Sequence, residues 1–496
     1  MIESLNGLLL GFGAVFSGYK ILSIFAGAFF GTWIGMLPGI GPATGIAILL
    51  PFTYDMDPAM ALVLLTGIYF GAMYGGAISS ILINTPGDAS AVMTTLDGNP
   101  LAKKGRAGAA LFIAAVASFI GGTLGLWGLT FLSGPISRFA LRFGPQEYFA
   151  LMVFAIVATV TLFDGSVVKG LMSGVFGLMV ATVGIDLQSG SARFVFGASD
   201  LMDGIGLLVV IIGVFSISEA CVNLEKLISG HWEPAATVGK LWATGAEWLR
   251  CRWAFIRGSF IGFLVGLLPG AGGAVATLFA YSTEKRMSRH PEEFGKGAIE
   301  GVAAPEAANN ASVSGALIPL LTLGIPGSSA TAVLLGALMM YGIQPGPQMF
   351  MEYPDITWGV IASLYIANVL LVVLNIPLIG LWVRLLKIPG ELLVVLILVL
   401  ALTGSYALGN SLFDTGLVIF FGAIGYWMKK QDFPFAPMIL GVVLGKTLEQ
   451  SLRQSLVLSG NDWSTFIARP LSGTILVLSI LSFLGPPVIK KFRQRS

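Results

Sequence analysis

Runs of mostly apolar residues, on the scale of the roughly twenty needed to cross a bilayer as a helix, recur along the whole of this chain. Clear examples are 107–132, 148–162, 167–183, 201–220, 356–386, 392–402, 415–427 and 471–484. Only 11% of the 496 residues are charged and 55% are hydrophobic. The mean hydropathy is +0.85. A soluble domain carries roughly a quarter charged residues, so a soluble fold is excluded. Spans interrupted by glycine and proline bring the expectation to an all-α polytopic membrane protein of about ten to fourteen membrane segments. The first ten residues lack a basic region and a small-residue cleavage site, so the first apolar stretch is expected to stay in the membrane.

An internal repeat organises the chain. Gly27-Ala-Phe-Phe-Gly31-Thr-Trp-Ile-Gly35-Met-Leu-Pro38-Gly39 returns as Gly258-Ser-Phe-Ile-Gly262-Phe-Leu-Val-Gly266-Leu-Leu-Pro269-Gly270. Asn84-Thr85-Pro86-Gly87-Asp88-Ala-Ser90 is answered by Gly324-Ile-Pro326-Gly327-Ser328-Ser329-Ala330, and Leu162-Phe163-Asp164 by Leu412-Phe413-Asp414. The matches lie 231, 240 and 250 residues apart, so the order is kept while loops lengthen. This divides the chain into a first membrane repeat (1–222), a polar connector (223–257) and a second membrane repeat (258–496). The connector, with Trp232 and His231 among its polar residues, reads either as an amphipathic surface segment or as a solvated linker.

Basic residues exchange loops between the halves. Asp55 and Asp57 follow the first break and Lys103, Lys104 and Arg106 the second; in the other half Lys285, Arg286, Arg289 and Lys296 follow the first break, and Glu352 and Asp355 the second. Basic loops mark the cytoplasmic side, so the two repeats are expected to have inverted topology, with re-entrant hairpins or helices broken at Pro-Gly. The basic tail from Lys490 to Arg495 then falls on the cytoplasmic side.

Proline removes a backbone donor and glycine permits non-helical geometry, so Pro38-Gly39, Pro86-Gly87, Pro269-Gly270 and Pro326-Gly327 should each interrupt a span. Unwound backbone at membrane depth is tolerated only beside protein or a water-filled cavity. A half-helix starting after each break aims free N–H groups at an anion, while carbonyl and side-chain oxygens suit a sodium ion. The candidate substrate and ion site is therefore Pro38, Gly39, Gly41, Thr44, Asn84, Thr85, Pro86, Gly87, Ser90, Pro269, Gly270, Gly272, Pro326, Gly327, Ser328 and Ser329. Thr94, Thr277 and Thr331 are further neutral hydrogen-bonding groups nearby. Sodium is expected at Asn84, Thr85 and Ser328, with no other metal. Any one of these hydroxyls can equally be helix-packing glue.

Glu306, Asn309 and Asn310 place a carboxylate and two amides between apolar runs, at spacings that share one helix face. They join the candidate site, although Glu306 can alternatively belong to a loop with Lys296 and Glu300. Asp88, Asp164 and Asp414 read as candidate helix caps. The glycine-rich run from Gly39 to Gly45 lacks both dinucleotide spacing and a Walker lysine. No nucleophile–histidine pair is evident around His231 and His290, so neither a catalytic residue nor an organic cofactor is expected. Cys221 and Cys251 have no metal-ligand spacing.

The runs Leu37-Pro38-Gly39-Ile-Gly41-Pro42, Tyr69-Phe70-Gly71-Ala-Met-Tyr74-Gly75-Gly76, Asn84-Thr85-Pro86-Gly87, Asp97-Gly98 with Lys104-Gly105, Leu268-Pro269-Gly270 and Pro305-Glu306-Ala-Ala-Asn309-Asn310 resemble the large membrane subunit of the tripartite tricarboxylate transporter family. The resemblance spans essentially the whole chain. It implies a bacterial inner-membrane permease that works with a small membrane subunit and a periplasmic solute-binding protein. Such a permease imports citrate, another tricarboxylate, or a dicarboxylate or aromatic acid, with sodium or a proton as coupling ion. The competing expectation is a channel or ion-coupled carrier that needs no binding protein.

Overall fold

The computed structural model describes the chain apart from Met1, Ser17, Pro38, 163–165, 187–188, 229–237, Lys240, Lys387, Pro389 and 494–496. Among the described residues the elements are helices, apart from one short antiparallel pair, Gly184–Ile185 with Ala192–Arg193. The first half contains α1 (Ile2–Val15), α2 (Lys20–Gly35), α3 (Pro42–Leu49), α4 (Pro58–Ile83), α5 (Val92–Leu101), α6 (Ala107–Ala140), α7 (Pro145–Leu162), α8 (Val167–Ala181), α9 (Leu207–Ile211) and α10 (Ser218–Ile228). The second contains α11 (Gly245–Gly266), α12 (Gly272–Met287), α13 (Glu300–Leu323), α14 (Ser329–Met340), α15 (Met349–Glu352), α16 (Pro354–Asn375), α17 (Ile379–Leu385), α18 (Gly390–Gly409), α19 (Leu412–Lys430), α20 (Phe435–Leu458), α21 (Thr465–Ala468) and α22 (Pro470–Arg493).

Among the described residues six helical stretches are long and apolar enough to cross a membrane, seven if the bent pair α1 and α2 makes one span. Four shorter apolar helices are also present among the described residues, and those beginning at Pro42 and Ser329 follow the Pro-Gly breaks. This is a multi-pass helical membrane protein. Helices such as α13, with Glu300, Glu306 and two asparagines, are long enough to span but too polar to count among the six.

Helices α4 and α13 form the centre, and almost every residue of each is buried. Without a hydrophobic driving force between helices in lipid, close approach depends on small residues. Here it comes from the glycine repeats. A Cβ on Gly27, Gly31 or Gly35 of α2 would sit 2.2–2.5 Å from the carbonyl oxygen of Leu64, Ile68 or Ala72 in α4. A Cβ on Gly258, Gly262 or Gly266 of α11 would sit 2.1–2.4 Å from that of Ala304, Ala308 or Ser312 in α13. Each contact partner in α13 lies 240 residues after its counterpart in α4, matching the spacing between Pro86-Gly87 and Pro326-Gly327.

Contacts between the halves join unlike members of the repeat. Lys104, after α5, donates to the Lys296 carbonyl at 2.6 Å, beyond α12. Tyr341, at the end of α14, donates to the Thr53 carbonyl, beyond α3. Asp97 in α5 accepts from the backbone of Gly295, Gly297 and Ala298, each at 2.8 Å. The stretch read as connector is helical at both ends, in α10 and α11. Thr244 and Glu247 form a capping box that starts α11, and Trp242 and Trp248 pack on Phe112 of α6. Arg250 bonds both Glu300 and Glu293, and this hydrogen bond holds the Glu293 carboxyl below the usual carboxylate range.

Candidate substrate and ion site

The breaks meet in pairs. Gly39 donates its N–H to the Pro86 carbonyl at 3.4 Å, and Gly270 donates to the Gly327 carbonyl at 3.0 Å. Gly39 and Gly270 have φ of +82° and +77°, a region that favours glycine and that turns the chain out of helical geometry. Pro38 lies outside the described residues; Pro269 is buried beside its break. Gly87 and Gly327 are also buried, lying where a side chain would strike Gly35 and Ala316 backbone respectively.

Helices begin immediately after these breaks. Gly41 precedes α3 and Ala271 precedes α12, and neither has a side chain that caps the helix. Asp88 likewise makes no capping bond to the turn that leads into α5. Ser328 does cap α14, in a reciprocal box with Thr331. The first turns of α3 and α12 therefore lack a side-chain cap at the positive ends of their dipoles. Thr44 lies buried in α3 one turn into the helix, and Ser329 is half-buried at the start of α14.

The second-half helix α13 supplies the polar floor. Glu306, Asn309 and Asn310 lie within it and are fully buried, so the loop alternative for Glu306 does not apply. Thr94 donates to Glu306 Oε1 at 2.5 Å and Ser118 of α6 donates to Oε2 at 3.2 Å. Asn309 Nδ2 donates to the Met73 carbonyl at 3.4 Å. A Cβ on Gly273 would lie 2.8 Å from Ser90 Cβ and 2.9 Å from Asn309 Oδ1. The start of α12, the first-half break and α13 thus touch at one point. Ser90 donates to Asp88 Oδ1 at 2.7 Å.

Other candidates stand apart from that point. Asn84 is exposed and closes α4 in the left-handed conformation (φ 54°), the place Gly324 takes at the end of α13. Thr85 donates to the Ile83 carbonyl at 3.1 Å, a local turn contact. Thr277 is buried in α12 and bonds the Ala274 carbonyl. Asp414 lies in the first turn of α19, where its N–H donates to Ser411, while Asp164 falls outside the described residues.

Two contributors are not among the site candidates read from the sequence. Tyr69 of α4 shares a hydrogen bond with Ser328 at 3.0 Å, joining the first-half core to the second-half break. Its position is 240 residues before Asn309, so the repeat spacing itself was a usable signal. Ser118 sits in an unbroken apolar helix, and nothing local marks it. Tyr69→Phe keeps the ring and deletes one hydrogen bond. The expected cost is about 1 kcal/mol, read as a small drop in Tm of the purified protein; an unchanged Tm would show that the Tyr69–Ser328 contact contributes nothing.

Paired helix breaks around a buried polar centre, in a chain of apolar helices, are the arrangement of a membrane transport protein. Residues 21–440 match the tripartite tricarboxylate transporter TctA family, and the chain belongs to it. It is the membrane component of a tripartite system. An uncharacterised 52.8 kDa protein of Agrobacterium vitis, from the TAR-I ttuC' 3' region, is 42% identical over 480 residues, covering 97% of this chain and 95% of that one. A second uncharacterised Agrobacterium vitis protein, from the TAR-II ttuC' 3' region, is 45% identical over 220 residues, 44% of this chain and 91% of its own. No solved structure matches the chain.

Proposed function

We propose that the protein imports an organic carboxylate across the bacterial inner membrane, with a small membrane subunit and a periplasmic solute-binding protein, driven by a cation gradient with sodium as the coupling ion. The observation that carries this reading is the pair of uncapped starts of α3 and α12 beside the breaks at Pro86-Gly87 and Pro326-Gly327. Free N–H groups there hold carboxylate oxygens without a fixed cation. Gly39, Gly41, Thr44, Gly87 and Ser90 serve the anion from the first half, and Pro269, Gly270, Gly272, Gly327, Ser328 and Ser329 from the second. Pro38, Pro86 and Pro326 maintain the breaks. Asn309 faces the same point from α13, while Asn84 and Thr85 keep the first hairpin in shape.

Inverted topology is part of this proposal. It is supported by the crossed contacts: the ends of α5 and α12 lie together through Asp97 and Lys104, and those of α3 and α14 through Tyr341 and Thr53. Equivalent elements, α3 with α12 and α5 with α14, then run in opposite directions. Alternating access follows from moving the broken helices against the glycine-packed scaffold.

The test is uptake of labelled citrate and a panel of di-, tri- and aromatic carboxylates into proteoliposomes holding this chain and its small partner. Sodium-driven accumulation that requires the binding protein is expected. Rapid flux that ignores both the binding protein and the gradient would replace the carrier by a channel.

A further inference from the structure

The candidate site contains a buried acid with no basic side chain paired to it among the described residues. Glu306 is fully buried, and among the described residues its two oxygens accept hydrogen bonds from the hydroxyls of Thr94 and Ser118 alone. Among the described residues no lysine, arginine or histidine pairs with it; of the basic residues on neighbouring elements, Arg250 and Arg257 of α11 pair instead with Glu293, Glu300 and Glu284. The titratable groups within electrostatic reach are Asp88, another acid, and Tyr74. Burying an unpaired carboxylate costs several kcal/mol, so the group takes up either a proton or a bound cation.

The oxygen atoms around it complete the argument. Asn310, one turn beyond Glu306 on the same face of α13, donates Nδ2 to the Glu306 backbone carbonyl at 3.2 Å. A carbonyl only accepts, which fixes the amide orientation and leaves Oδ1 as the other end. That oxygen is buried with no hydrogen-bond partner, and so is Ser314 Oγ one turn further along. Helix α13 therefore presents a carboxylate, an amide oxygen and a hydroxyl at successive turns, all short of a positive partner. In the first half the positions 240 residues earlier are Thr66 and Phe70, so this strip occurs once. Ser118 also lines a cavity with room for about one water molecule, shared with Tyr74, Ala115 and Asn375.

The geometry points to a sodium site formed by the Glu306 carboxylate and Asn310 Oδ1, with the hydroxyls of Thr94 and Ser118 turning their oxygens to the ion. One carboxylate and neutral oxygens suit a monovalent hard cation, whereas calcium takes six to eight oxygens, often from several carboxylates. Thr94 follows the first-half break and Glu306 belongs to the second-half core. The ion therefore joins the moving hairpin to the scaffold, which links its binding to carboxylate transport. This rests on the carrier reading above for its role, though not for its existence.

The test needs no substrate. Thermal unfolding of the purified chain in detergent is followed while sodium chloride replaces choline chloride at constant ionic strength, with potassium chloride in parallel. The wild type is expected to gain a few degrees in Tm, saturably and with sodium only. Glu306→Gln is expected to unfold at or above the wild-type sodium-free Tm and to lose the sodium response, a combination that a purely structural carboxylate would not give. Asn310→Ala should raise the half-saturating sodium concentration at least tenfold; should that variant not fold, Thr94→Val should raise it several-fold. A wild type indifferent to sodium overturns the site, as does Glu306→Gln with an intact response. A Tm that follows pH through Glu306 but not sodium overturns it in favour of a proton. Sodium binding without uptake of any carboxylate would leave the site standing and sink the carrier's proposed substrate class.

Discussion

Gly262→Leu is expected to leave no folded, monodisperse protein. Even a single Cβ at this position would lie 2.1 Å from the Ala308 carbonyl oxygen and 2.5 Å from the Ala308 Cα. Both are backbone atoms, so no side-chain rotation relieves the clash. Nor can α13 retreat, because α6 fences its other side with Gly121, whose own Cβ would be 2.1 Å from the Ala307 carbonyl. Overpacking a core costs about 1–3 kcal/mol where side chains can give way; here a central helix must shift, and the loss should exceed that range. Size-exclusion profiles and Tm of Gly262→Ala and Gly262→Leu measure it. Gly416→Leu is the control, since Gly416 is exposed on α19 with nothing within 4 Å of its Cβ position. A Gly262→Leu protein as stable as the control would end the account of glycine-mediated packing.

The second large effect is expected at Asp97. This fully buried carboxylate accepts three backbone N–H groups through Oδ1, from Gly295, Gly297 and Ala298, and the Tyr281 hydroxyl through Oδ2, all at 2.8 Å. It holds the first-half hairpin helix α5 against the loop that leads into α13. Hydrogen bonds to a charged group contribute about 1.5–3 kcal/mol each, and donors left without partners add their desolvation. Asp97→Ala should therefore lose about 3 kcal/mol or more and open the loop at 295–298 to protease. Tyr281→Phe deletes only one of the four contacts and should lose about 1 kcal/mol. Limited proteolysis and thermal unfolding check both variants. If Asp97→Ala proved no more sensitive than Tyr281→Phe, the backbone contacts would not be what holds the loop.

These two positions also show how differently the sequence announces its structure. The glycines of α2 and α11 recur every fourth residue, so their role in close helix contact is readable from spacing. Asp97 stood out only within a family resemblance. Three of its four partners are backbone N–H groups about 200 residues away, and backbone donors carry no sequence signal. Asn84 looked like a ligand because it is polar and beside a break. The same proximity makes it a natural left-handed helix cap, and sequence cannot distinguish the two roles.

Apolar run length, the four Pro-Gly breaks and the spacing between repeats were determined by the sequence alone, since each depends on local chemistry: lipid-compatible backbone, a missing donor, freedom in φ. Tertiary structure decided which groups share a site. It brought Ser118 from an unmarked helix to Glu306, set Tyr69 against Ser328, and placed Gly273 between Ser90 and Asn309. The physical reason is that contact across helices depends on packing rotation and close approach. Those are fixed jointly by α4, α6, α11 and α13, and no single segment encodes them.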